Sequence, residues 1–227
     1  MNLRTFTWSI QKSRGDTVKP RDEHSACVDD ENSLMIIFGG FCEGERTNET
    51  IVYNMKHNMW QTVKLPEKAK RPCARSGHGS AYHNGVMYVF GGKDQDSNKL
   101  NDLWAFNVKG IYWEKIEPEE GLVPCVRSGF TTSVFDGCFI VFGGILEVTK
   151  ELNDIWAFSF KQNRWILVQD DPAISPRTIA YRKGTSAKET QGSINTKKQE
   201  TIQAETPLKH EQSMESARPK SANVRKS

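Results

Sequence analysis

The sequence predicts an all-β fold: three copies of a four-stranded antiparallel unit, preceded by one N-terminal strand and followed by a disordered basic tail. Three observations carry this reading. An apolar run closed by two glycines occurs three times, ending at Phe38-Gly39-Gly40, Phe90-Gly91-Gly92 and Phe142-Gly143-Gly144, with a constant step of 52 residues. Tryptophans keep almost the same step, with Trp8, Trp60, Trp113 and Trp165 separated by 52, 53 and 52 residues. Of the 22 aromatic residues, 21 lie before Pro172 and only Tyr181 lies after it. A fixed period of this length marks a repeat architecture, and the aromatic boundary marks where a packed core ends.

In chain order, Phe6-Thr7-Trp8-Ser9-Ile10 reads as the tryptophan strand that elsewhere closes each unit, so residues 1–20 are assigned to an N-terminal strand and loop. Each unit then opens on a head motif: Arg21-Asp22-Glu23-His24, Arg75-Ser76-Gly77-His78 and Arg127-Ser128-Gly129-Phe130. A short strand of mostly small residues follows. Next comes a tight turn, for which Asn84-Gly85 and Asp136-Gly137 are strong signals because both positions of a type I′ turn need positive φ. The Gly-Gly strand comes next. After a polar loop the third strand is Leu100-Asn101-Asp102-Leu103-Trp104 or Leu152-Asn153-Asp154-Ile155-Trp156, with a weaker version around Ile51 and Tyr53. The tryptophan strands beginning at Trp60, Trp113 and Trp165 end each unit. The units fall at about 21–70, 71–122 and 123–171.

Four short strands in roughly 50 residues describe a β-propeller blade. A second strand buried on both faces reads as continuously apolar, and an inner strand crowded at the axis reads as Ser, Ala, Gly and Thr. The paired glycines suit a backbone with φ > 0 and a close approach. Trp60, Trp113 and Trp165 supply large buried area between blades.

Gly-Gly after an apolar strand, a later aromatic followed by Trp, and Arg-x-x-His at the head of the repeat together resemble kelch repeats. The resemblance covers about residues 6–170. It implies a kelch-type propeller fold, and a family that includes scaffolds, ubiquitin-ligase substrate receptors and a few enzymes. Kelch propellers similar to this one close with five to seven blades, whereas three are present here. Pro176-Arg177 repeats the Pro20-Arg21 that opens the first unit, but no Gly-Gly strand follows. The expectation is a truncated form of a longer kelch protein.

Of the 31 basic and 28 acidic residues, 11 and 5 lie in residues 172–227, so that segment carries +6 and the rest −3. A basic, aromatic-poor stretch of this kind is expected to be disordered. Without stacking aromatics or an apolar face, the tail is expected to bind neither nucleic acid nor membrane. The five cysteines, Cys27, Cys42, Cys73, Cys125 and Cys138, include no Cys-x-x-Cys, and Cys73 and Cys125 occupy one repeat position. Free thiols in a reducing compartment are expected, with a cytoplasmic or nuclear location. No N-terminal apolar run resembles a signal peptide, and no stretch of about 18 apolar residues occurs.

Candidate binding residues fall at one end of the blades. Arg21, Arg75 and Arg127, with the incipient Arg177, would line a basic rim there; alternatively each bonds backbone carbonyls or acidic groups such as Asp102 and Asp154, since a residue recurring in every repeat usually serves the repeat. His24 and His78 are read as structural for the same reason. Loops between the second and third strands carry Glu45 and Arg46, Lys93 and Asp94, and Glu147 and Lys150 without a shared pattern, and variable loops on a repeated scaffold are where specificity sits. Gly39, Gly40, Gly91, Gly92, Gly143 and Gly144 are structural repeat positions. No phosphate-binding loop occurs, His78 and His83 are too few for a metal cluster, and the ligands of the kelch-type copper radical oxidases have no match. No catalytic residue, metal or cofactor is expected. The function read from the sequence is a non-catalytic protein-interaction module: a scaffold, adaptor or substrate receptor, with self-association through its open blade edges. The alternative is a fragment of a kelch-propeller enzyme whose catalytic residues lie in missing blades.

Overall fold

The structure, a computed structural model, describes residues 2, 4–10 and 12–170 and the backbone of 180–182. The expected tail therefore lies outside the described residues except at 180–182. Among the described residues there is no helix. Strands β1 (Arg14–Gly15), β2 (Ser25–Asp29), β3 (Leu34–Phe38), the hairpin β4 (Phe41–Cys42) and β5 (Glu45–Arg46), β6 (Thr50–Asn54) and β7 (Met59–Thr62) make up the first blade and its attachments. The second blade is β8 (Gly79–His83), β9 (Val86–Lys93), β10 (Lys99–Asn107) and β11 (Tyr112–Ile116). After β12 (Gly121–Val123) the third is β13 (Thr131–Phe135), β14 (Cys138–Glu147), β15 (Lys150–Ser159) and β16 (Arg164–Gln169). Each blade is an antiparallel meander in chain order, β2-β3-β6-β7, β8-β9-β10-β11 and β13-β14-β15-β16.

The turns are those expected. Asn84 and Gly85 have φ of 47° and 80°, and Asp136 and Gly137 have 47° and 67°, so both hairpins twist with their strands. They set the pairs His83 with Val86 and Phe135 with Cys138.

The apolar run of β9 is continuous because this second strand feeds two interfaces. On β9, Met87 and Val89 pack with Ile36 and Phe38 of the first blade, while Tyr88 and Phe90 pack with Phe139 and Val141 of the third. Period-two alternation thus sends one half of the strand to each neighbour. The aromatic contacts repeat with the sequence. Phe38 meets Trp113 at 4.7 Å and His78 at 5.3 Å, and Phe90 meets Trp165 at 5.0 Å and Phe130 at 5.7 Å.

The Gly-Gly pair joins one blade to the next. Both glycines have positive φ in all three copies, from 61° to 101°. The Gly40 and Gly92 amides donate to the carbonyls of Arg75 and Arg127 in the following blade, each at 2.9 Å. A Cβ on Gly39 would lie 2.7 Å from the Arg75 carbonyl oxygen, and one on Gly91 2.9 Å from that of Arg127. No side chain fits there.

Two placements differ from the sequence reading. The N-terminal strand is Arg14–Gly15, parallel to β7, and Trp8 belongs to no strand and is 81% exposed. Trp60, Trp113 and Trp165 each pair with a residue of the preceding strand, Tyr53, Phe106 and Phe158, and among the described residues no such strand pairs with Trp8. At the incipient fourth repeat, Ala180–Arg182 (β17) pairs with β12 and does not extend the series of inner strands.

Candidate interaction site

The head motifs and the loops after the Gly-Gly strands meet at one end of each blade. Isolated bridges join them: Asp22 with Phe41, Ser76 with Lys93 and Ser128 with Ile145. The motifs are also strung together across blades, since the Gly77 amide donates to the Glu23 carbonyl (2.9 Å) and the Gly129 amide to that of Gly77 (2.8 Å). Gly77 and Gly129 hold φ near 63°, and Glu23 adopts 47° at the equivalent position.

The arginines form no rim. Arg75 and Arg127 are completely buried, and each makes a two-pronged ion pair inside its own blade. Arg75 donates to Asp102 at 2.7 and 2.9 Å and to the Gly91 carbonyl at 3.0 Å. Arg127 donates to Asp154 at 2.6 and 2.8 Å and to the Gly143 carbonyl at 3.0 Å. The Trp104 and Trp156 indoles complete the carboxylates, both at 2.7 Å. A buried charge must be paired in this way. Burial works against the charge of both Arg75 and Asp102, but their mutual bonds outweigh it, holding the guanidinium pKa up and the carboxyl pKa down. Arg21 makes a more open version, with Glu49 at 2.8 Å and the Gly39 carbonyl at 3.2 Å. The charges of Arg75 and Arg127 are thus matched inside their own blades.

The loop residues divide. Glu45 and Glu147 are exposed. Arg46 turns inward: its Nε donates to Ser76 Oγ (2.9 Å), which donates to Glu23 Oε2 (2.6 Å), and its backbone amide donates to Gln95 Oε1 (3.1 Å). Asp94 closes its own loop by accepting from the Asn98 amide (2.8 Å) and side chain (3.1 Å). Lys93 is half-buried in the bridge to Ser76, and Lys150 is half-buried opposite Glu147. The sequence reading passed over Gln95 and Lys99. Lys99 reaches the Leu146 carbonyl at 3.0 Å and ties the second loop to the third, as Gln95 ties it to the first. These loops differ between repeats, so periodicity did not single those residues out. Asp96 is exposed at the loop tip.

His78 lies between the first two blades against Phe38. The Phe38 backbone approaches its ring, but neither ring nitrogen reaches hydrogen-bond geometry. Burial, reinforced by the Arg75 charge, pushes its pKa down to about 3. Among the described residues no group of three or more His, Cys, Asp or Glu is placed to hold a metal ion, and no helix is long and apolar enough to cross a membrane.

The sequence family described as the KLHDC2/KLHL20/DRC7 Kelch-repeats domain matches residues 1–187. The chain belongs to the kelch-repeat family. Among curated kelch relatives, the human "Kelch domain-containing protein 3" is 30% identical over 161 residues, 66% of this chain and 41% of the relative. The Drosophila melanogaster "Leucine-zipper-like transcriptional regulator 1 homolog" is 29% identical over 184 residues, 77% of this chain and 18% of the relative. The Drosophila "Host cell factor" is 27% identical over 211 residues, 86% of this chain and 14% of the relative. This kelch chain thus spans about two fifths or less of the length of these relatives.

Proposed function

We propose that this kelch chain is a non-catalytic protein-interaction module that binds a partner at the loop end of its blades. One observation carries the proposal: three loops of unrelated sequence stand on a frame whose head motifs, glycine pairs and arginine pairs repeat from blade to blade. A rigid repeated frame with dissimilar loops separates holding from recognising. Glu45, Asp96 and Glu147 are exposed, one per loop, and favour a partner presenting basic groups. The family's standing as interaction proteins supports the same reading and extends it to an adaptor or substrate-receptor role.

Affinity capture from cells with the full chain tests this. Glu45→Lys, Asp96→Lys and Glu147→Lys should each lose partners that the native chain retains. Lys161→Glu, in a turn at the opposite end of the third blade, should lose none. Loop variants that keep every partner, or a control that loses the same ones, would overturn the proposal.

A further inference from the structure

The outer strands of the first and third blades each carry an extended segment of the chain, and among the described residues that of the second carries none. In the first blade the Arg14 and Asp16 amides donate to the carbonyls of Asn58 and Trp60, both at 2.9 Å. Asn58 Nδ2 returns a bond to the Lys12 carbonyl (2.9 Å), and the Thr62 amide donates to Asp16 Oδ2 (2.7 Å). In the third blade the Glu119 amide donates to the Asn163 carbonyl (2.7 Å) and Asn163 Nδ2 to that of Glu117 (2.9 Å). Both asparagines sit at positive φ, 50° and 49°.

The second blade has lost both halves of this strap. Ile111 holds the asparagine position at φ 56°, and it has no side-chain amide to give. Pro66, 45 residues before Ile111 where the two straps pair residues 44 apart, stands next to the position of the strap amide and has no N–H. Among the described residues no hydrogen bond joins residues 64–68 to β11. The carbonyls of Ile111 and Trp113 and the amide of Lys115, counterparts of Asn58, Trp60 and Thr62, have no partner on that side among these residues. A β-branched residue with positive φ is strained, and this one is also half exposed.

Beside that edge a cleft of about 470 Å³ opens between the first and second blades, lined by Leu34, Val52, Met59, Phe106, Val108 and Ile111 with polar groups around them. Between the second and third blades Phe160, one 52-residue step after Val108, stacks on His83 at 4.4 Å and meets the tilted ring of Tyr88 at 4.5 Å. Valine leaves open what phenylalanine fills. An unpaired edge and an apolar cleft therefore adjoin at Ile111.

We propose that the outer edge of the second blade is a docking site for an extended segment of a partner protein, which adds to β11 as a parallel strand and seats one apolar side chain in the cleft. The molecule's own strap defines the chemistry: two amides two residues apart, neither of them proline, aimed at the Ile111 and Trp113 carbonyls. An Asp or Asn at the second of these positions accepts from the Lys115 amide, as Asp16 does from Thr62. Main-chain pairing supplies affinity and the cleft supplies selectivity. This site is separate from the loop end, and neither depends on the other.

Random-peptide phage display on the full chain, followed by anisotropy titration of the selected peptides as synthetic probes, tests the proposal. Two variants close the edge. Lys115→Pro removes the outward amide, a change an edge strand tolerates. Ile111→Asn with Pro66→Arg restores the strap from the chain's own residues and relieves the strained turn, so it is informative even if the proline variant folds poorly. Peptides carrying an apolar residue ahead of Asp or Asn should emerge and bind both variants at least about tenfold more weakly, the loss of one or two hydrogen bonds. Selection that yields nothing beyond the strapped variant, or peptides that bind the strapped variant as tightly as the native chain, would overturn it.

Discussion

The residues that recur at the head of each blade share one ion pair in three degrees of burial. The carboxylate side chain is 47% exposed at Glu49, 23% at Asp102 and 5% at Asp154. An exposed pair contributes about 1 kcal/mol or less, whereas removing one partner of a buried pair costs about 3–5 kcal/mol because a charge is left alone. Denaturant unfolding of Glu49→Ala, Asp102→Ala and Asp154→Ala should rank the losses in that order; equal losses would show that burial does not set them. His78 carries a pH term. Its pKa falls from 6.5 to about 3 on folding, so between those values the unfolded chain binds more protons. Stability should therefore fall as pH drops through that window, at up to about 1.4 kcal/mol per pH unit. Phe130 fills the same place against Phe90. His78→Phe should flatten the pH dependence of the unfolding midpoint, and an unchanged slope would assign the effect elsewhere.

At the scale of strands and turns, the Gly-Gly pairs separate internal strain from contact between blades. A Cβ at Gly91 would press on the Arg127 carbonyl of the next blade at 2.9 Å, while one at Gly143 would meet the Leu152 carbonyl of its own blade at 2.8 Å. Both alanine variants bear the cost of positive φ, about 1–2 kcal/mol. Gly91→Ala should lose more stability than Gly143→Ala in parallel denaturant titrations, because it also pushes two blades apart. The strands, the type I′ turns and the apolar second strands were legible in the sequence because each follows from local periodicity and turn chemistry. Both fates of the head arginines were legible too, but choosing between them needed the distance from Arg75 to Asp102, residues 27 apart in the chain. Trp8 misled because a tryptophan signature marks a strand only when a preceding strand is there to pair with it. The sequence signs of an unstrapped edge, Ile111 in place of an asparagine and Pro66 in the preceding segment, acquire meaning only once Arg14 and Glu119 are seen bonding the neighbouring blades.

Across the whole molecule, the two internal interfaces show what the outer blade faces leave undone. Phe38 and Phe90 are completely buried by a His or Phe of the next head motif and by the next blade's tryptophan, while Phe142, the third copy, is 49% exposed. At the other end His24 is exposed and Trp60 only half-buried, where His78, Trp113 and Trp165 are buried. The first blade thus presents the groups that Phe142 lacks. Covering several hundred Å² of apolar surface is worth several kcal/mol at about 25 cal/mol per Å², before the cost of association. We propose that two copies meet by these faces, the third blade of one against the first blade of the other. That each blade face is made to receive another blade is tested most directly by light scattering across a concentration series of the chain. The mass should rise toward twice that of the monomer, and Phe142→Asp should hold it down. A native chain that stays a monomer throughout and unfolds cooperatively would contradict it.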